Sequence, residues 1–202
     1  MKTTRKDILF SGKEKAEIRE RILAHAQKGK SFLDLYGNGE NYRLMKERGI
    51  KGISVDDGRD FKNEEKLKID LKGEDKMLIS LKDLARLKTA KKHDSMWLDF
   101  CGAVNKDVIE TLKHMPNIME NEGRIWFTLL CGRENILPRG TVRTIIDKAV
   151  LSIIKYEMKE VDISLKHNWS KSYLSTPEYQ TRKKKGPTRM IVHEFDWKKI
   201  IK

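Results

Sequence analysis

Cysteine is nearly missing: Cys101 and Cys131 are the whole complement of a 202-residue chain. Two thiols cannot build a disulfide framework or a four-cysteine zinc site. The histidines, His25, His93, His114, His167 and His193, are scattered without ligand spacing, so no metal is expected. Glutamine occurs only at Gln27 and Gln180. No apolar run nears the roughly 18 residues that a membrane helix needs, and the opening MKTTRKD carries no apolar signal core. A soluble, cytoplasmic protein is therefore expected. No internal repeat or low-complexity linker appears, and the length suits one α/β domain over residues 1–202, with residues 1–10 as an arm.

Charge is abundant. Charged residues make up 36% of the chain, hydrophobic ones 38%, and the formal net charge is +13. Plentiful Lys and Glu with few thermolabile amides is a thermophile-like balance. The positive excess favours a polyanionic partner, because each phosphate neutralised releases counterions; a lysine-rich thermophilic surface is the other reading.

The most informative stretch is 31 to 57, SFLDLYGNGENYRLMKERGIKGISVDD. Phe32, Leu33 and Leu35 form a short apolar run, as in a buried parallel strand. Gly37 and Gly39 then permit a turn that a ligand can approach without meeting a Cβ. A helix from Asn41 to about Arg48 directs its free N–H groups at that turn. A second buried run, Ile53 to Val55, ends in Asp56 and Asp57. A carboxylate there can accept hydrogen bonds from both hydroxyls of a ribose. The dinucleotide fingerprint needs a third glycine for close helix packing, and Tyr42 follows here instead.

The rest of the chain alternates. An amphipathic stripe of Ile18, Ile22, Leu23 and Ala26 predicts a helix over residues 13–28. Residues 60–71 form a charged segment with a short helical pattern. Met77 to Ile79 reads as a strand, followed at Ser80 and Asp83 by a helix-capping pair. Met96 to Phe100 is a strand, Val104, Val108, Leu112 and Met115 mark a helix ended by Pro116, and Ile125 to Leu130 is a further strand. A long helix runs from Val142 to Ile154. Residues 169–175 and 188–196 then read as two strands with no helix between them, hence an antiparallel hairpin.

Strand, Asp34, glycine turn and a second acid at Asp56 together resemble motif I of the class I S-adenosylmethionine-dependent methyltransferases. The family usually spaces its glycines two, four and six residues after the acid of its first strand; here Tyr36 replaces the first, and Gly37 and Gly39 sit three and five residues after Asp34, a loop one residue shorter or differently bent. The order of elements is similar to that family over roughly residues 11–198. The resemblance implies an α/β fold: a seven-stranded, mostly parallel Rossmann-like sheet with helices on both faces and a C-terminal antiparallel β-hairpin. It also implies S-adenosyl-L-methionine as cofactor, with Asp34, Tyr36, Gly37, Gly39, Asp56, Ser80 and Leu81 around it.

For the acceptor, Asp99 and Phe100 end the fourth strand, where ligands of open α/β sheets bind. They can orient and stack a base, or else cap the next helix and fill core. The Asp99-Phe100-Cys101-Gly102 run lacks the prolines of the family's amine-methylating DNA enzymes. Cys101 and Cys131 each follow a strand, as in cytosine-5 enzymes, but without their flanking motifs; small buried hydrophobes are the alternative. A ribose-methylating set can be assembled on paper from Lys15, Asp99, a later lysine and Glu194. In the hairpin loop, Tyr179, Arg182, Lys183, Lys184 and Lys185 combine a ring with positive charge, suited to nucleic acid or simply to water. The reading is a methyltransferase acting on RNA or DNA, with a non-catalytic nucleic-acid-binding protein on the same fold as the alternative.

Overall fold

A computed structural model describes residues 13–35, 39–56, 75–87, 90–100, 104–130, 143–175 and 188–200. Tyr36, Gly37, Asp57, the 60–71 segment, Cys101, Cys131 and the hairpin-loop residues Tyr179 and Arg182 to Lys185 lie outside the described residues. The elements in order are α1 (Lys13–Ala26), β1 (Phe32–Leu35), α2 (Glu40–Glu47), β2 (Gly52–Asp56), β3 (Lys76–Leu78), α3 (Leu81–Arg86), β4 (His93–Asp99), α4 (Lys106–His114), β5 (Met119–Leu130), α5 (Arg143–Glu160), β6 (Ile163–Ser175) and β7 (Thr188–Lys199), with a 3-10 turn at Met115–Asn117.

The strands form one seven-stranded sheet in the order β3-β2-β1-β4-β5-β7-β6. The first five are parallel, and β7 enters antiparallel between β5 and β6. Register explains why the strand cores are apolar on both sides. Leu33, Met96, Leu98, Ile125 and Phe127 face α3, α4 and α5, where Leu84, Leu112 and Ile154 meet them. Their neighbours Phe32, Trp97 and Trp126 face the other way, against Ile18, Ile22 and Leu23 of α1 and Met45 of α2. Parallel strands covered by helices on both sides need this doubled apolar pattern.

Two helix ends fix the sheet's C-terminal rim. Gly39 caps α2 in the left-handed region, φ 81°, a conformation that disfavours any Cβ. Ser80 caps α3, its hydroxyl accepting from the Asp83 amide at 3.1 Å. At the opposite, N-terminal end of the sheet, Asp94 accepts from the Lys30 and Ser31 amides at 2.7 and 3.1 Å, pinning the entry to β1.

Candidate cofactor site

Side chains alternate along β1, so Asp34 projects from the same face as Phe32, towards α1 and α2. It is fully buried. The Asn41 side-chain amide at the start of α2 donates to Asp34 Oδ1 at 3.2 Å. The Asn41 side-chain oxygen in turn accepts from Arg19 Nε at 2.8 Å. Arg19 also contacts Glu40 at 3.3 Å. The second carboxyl oxygen of Asp34, Oδ2, is buried and has no hydrogen-bond partner among the described residues. Burial pushes the Asp34 carboxyl well above the usual carboxylate range. The hydrogen bond from Asn41 opposes that shift, the negative Asp99 adds to it, and Arg19 and the Leu35 backbone amide oppose it. Desolvation likewise pulls the Arg19 guanidinium below its ordinary value, against the pull of Glu40, Asp34 and Asp99.

Asp56 ends β2 one position beyond Val55, which pairs with Leu35 at the end of β1, so the second acid stands one strand over from the first. It is half-buried. Gly39 lies at the turn between them in sequence. Of the two residues after β3, Ser80 is committed to capping α3, and Leu81 is 8% exposed and packed in the core. Asp99 and Phe100 stand at the end of β4, beside β1. The next helix, α4, is capped by Asn105, whose side chain accepts from the Val108 amide at 3.0 Å, so that role does not fall to Asp99. The Phe100 ring lies parallel to Phe127, centroids 6.4 Å apart, with one face packed and the residue half-buried.

Asp34, Gly39, Asp56, Asp99 and Phe100 are thus gathered at one rim, and Ser80 and Leu81 at the neighbouring strand end. Glu194, one of the residues assembled on paper for ribose methylation, sits elsewhere. It is buried under α1, bound by Arg21 at 2.8 and 3.1 Å and by the Trp126 indole at 2.9 Å. Burial pushes its carboxyl up, but those hydrogen bonds win and hold it below the usual range. Its oxygens are already satisfied, which makes it a packing residue.

Sequence reasoning missed Arg19 and Asn41. The signal was available: Arg19 precedes Ile22 and Leu23 by one helical turn, so it lies within the apolar stripe of α1.

No family model and no curated protein sequence matches this chain. Solved structures do. A candidate RNA methyltransferase from Pyrococcus horikoshii superposes with a TM-score of 0.58 at 16% identity, over 91% of this chain and 84% of its own. A SAM-dependent methyltransferase from Archaeoglobus fulgidus gives 0.54 at 16% identity, over 92% and 95%. A candidate transferase from Pyrococcus horikoshii gives 0.56 at 14% identity; 95% of this chain is covered but only 66% of that one.

The fold is that of the S-adenosylmethionine-dependent methyltransferases.

Other matched structures with this methyltransferase fold hold S-adenosylmethionine or S-adenosylhomocysteine, and their acceptors range from a toxoflavin precursor to plantazolicin. The fold therefore locates a rim without naming an acceptor.

Proposed function

We propose that this protein is an S-adenosylmethionine-dependent methyltransferase whose cofactor lies along the rim formed by β1, β2 and β4. The observation that carries this reading is the pair of acids on adjacent strand ends, with Asp34 Oδ2 buried and without a hydrogen-bond partner among the described residues. A methyltransferase cofactor offers hydrogen-bond donors: ribose hydroxyls and an ammonium. When bound, the cofactor supplies a sulfonium methyl for in-line displacement. The residues of this chain then bind and orient. Asp56 accepts the ribose hydroxyls, Gly39 keeps the turn free of side-chain bulk, with Tyr36 and Gly37 completing that turn, and Ser80 and Leu81 flank the adenine. Asp99 orients the acceptor and can accept a proton from it, while Phe100 offers its ring for stacking.

The acceptor in this reading is RNA or DNA, and the work is cytoplasmic. The net charge of +13 supports a polyanion, as does the likeness to a candidate RNA methyltransferase. Tyr179, Arg182, Lys183, Lys184 and Lys185 are the proposed contacts. Calorimetric titration with S-adenosylmethionine tests the core of the proposal. Micromolar binding that weakens about tenfold in Asp56→Ala is expected; no binding, or none of that loss, sinks it. One observation favours a second reading: Asp99-Phe100-Cys101-Gly102 carries none of the prolines of the amine-methylating enzymes. A protein that binds nucleic acid yet transfers no labelled methyl to it would be the non-catalytic alternative.

A further inference from the structure

The relay behind Asp34 begins outside the α/β alternation, on α1. Arg19 is 8% exposed, within a helix face otherwise made of Ile18, Ile22, Leu23 and Ala26. A guanidinium is costly to bury there, and an aliphatic side chain would pack at no such cost. Its hydrogen bonds show what it does. Arg19 Nε can only donate, so the Asn41 oxygen must face it, and the Asn41 NH2 is turned to Asp34. That amide occupies Oδ1, while Oδ2 is buried with no hydrogen-bond partner among the described residues.

We propose that Arg19 and Asn41 are positioning residues that hold the Asp34 carboxyl with one oxygen open to a cationic hydrogen-bond donor of the cofactor, so that binding expels a proton. This deepens the cofactor reading above and rests on it. In the free protein Asp34 feels Arg19 from α1, Asn41 from α2, Asp99 from β4 and the Leu35 amide of its own strand; Glu40 of α2 and Tyr173 of β6 act on Arg19, and Lys15 on Glu40. Burial and Asp99 favour the neutral acid. An arriving ammonium favours the carboxylate, and the proton leaves to solvent. The sign follows. Where free Asp34 is protonated, binding must first ionise it, so affinity climbs as pH rises and levels off above the free-state pKa.

The test is calorimetry with S-adenosylhomocysteine, which keeps the ammonium, in buffers of different ionisation enthalpy across the neutral range. The wild-type protein should release a measurable fraction of one proton per ligand bound, and Asp34→Asn none. Asn41→Ala and Arg19→Lys should each weaken binding roughly tenfold, the scale of one charge-assisted hydrogen bond, and should shift the pH at which affinity levels off. Arg19→Lys keeps the charge beside Glu40 but loses the fork, so a thermal midpoint near wild type separates positioning from collapse. Wild-type affinity and proton count in both variants would overturn the inference, as would a loss of affinity with unchanged proton release. If S-adenosylhomocysteine binds the wild-type protein with no proton release, the relay fails while the cofactor reading stands. If it does not bind at all, both fall.

Discussion

His93 opens β4 with its imidazole buried, Nδ1 2.8 Å from the Ser31 hydroxyl. Desolvation, with Lys91 nearby, pulls its pKa down to about 4. The unfolded chain therefore takes up a proton near pH 6.5 that the folded protein refuses until about 4. Stability from this residue is complete above the unfolded value and drains away as pH falls between the two, by roughly 3 kcal/mol. Urea midpoints across that window should fall with acidification in the wild-type protein and fall less in His93→Asn. Equal slopes would remove His93 as the cause. Single residues also mark the limit of sequence reading. Asp34 and Asp56 stood out in the sequence because one interrupts an apolar run and the other closes one, where a charge has to be explained. Arg19 was not, because a helix this rich in Lys, Arg and Glu hides one buried cation among many solvated ones. Glu194 misled for the same reason: its burial depends on Arg21 and Trp126, distant in sequence.

Among the elements, β5 packs closely against both of its neighbours. Gly123 pairs with Trp197 of β7, and a Cβ there would strike the Asp94 carbonyl of β4 and stand 2.5 Å from the Trp197 ring. The Trp197 indole is itself held by the Glu120 carbonyl at 3.1 Å and cannot swing aside freely. Gly123→Ala should therefore cost about 1–3 kcal/mol, read as a lowered urea midpoint with the slope unchanged. A neutral outcome would mean that the strand ends yield. This half of β5 was also the half that the sequence concealed. Ile125 to Leu130 is apolar and reads as a strand, whereas Glu120 to Glu122 is exposed and polar, and the ladder to β7 reaches only as far as Glu122. The early part of β4, His93 to Ser95, was missed likewise, since its side chains are polar; early β6 was missed because its apolar signal is confined to Ile163 and Leu165 before the polar run Lys166 to Asn168. The apolar strand cores and the order of elements were legible because parallel strands buried on two sides cannot avoid declaring themselves.

For the whole molecule, the positive excess has a measurable signature. If RNA or DNA is the acceptor, the affinity for a single strand should fall linearly on a log scale with salt, with a slope of about −0.7 per phosphate neutralised. Replacing Lys183, Lys184 and Lys185 with alanine should flatten that slope by about 0.7 for each phosphate the protein no longer holds. A slope unchanged by the triple substitution would move the phosphate-binding surface elsewhere. Among the described residues no helix is long and apolar enough to cross a membrane, and no group of three or more candidate ligands stands ready for a metal ion.

The insertion of β7 between β5 and β6 also sets an order of assembly. A ribosome delivers β6 first, yet among the described strands β6 pairs with β7 alone, and β7 must add to β5 before the sheet is whole. While the chain is being made, the parallel strands can condense around β1 and β4, but β6 must wait with its backbone amides still wetted. Closure of that side is a late event, when β7 enters between its two neighbours and Phe195 and Trp197 enter the core together.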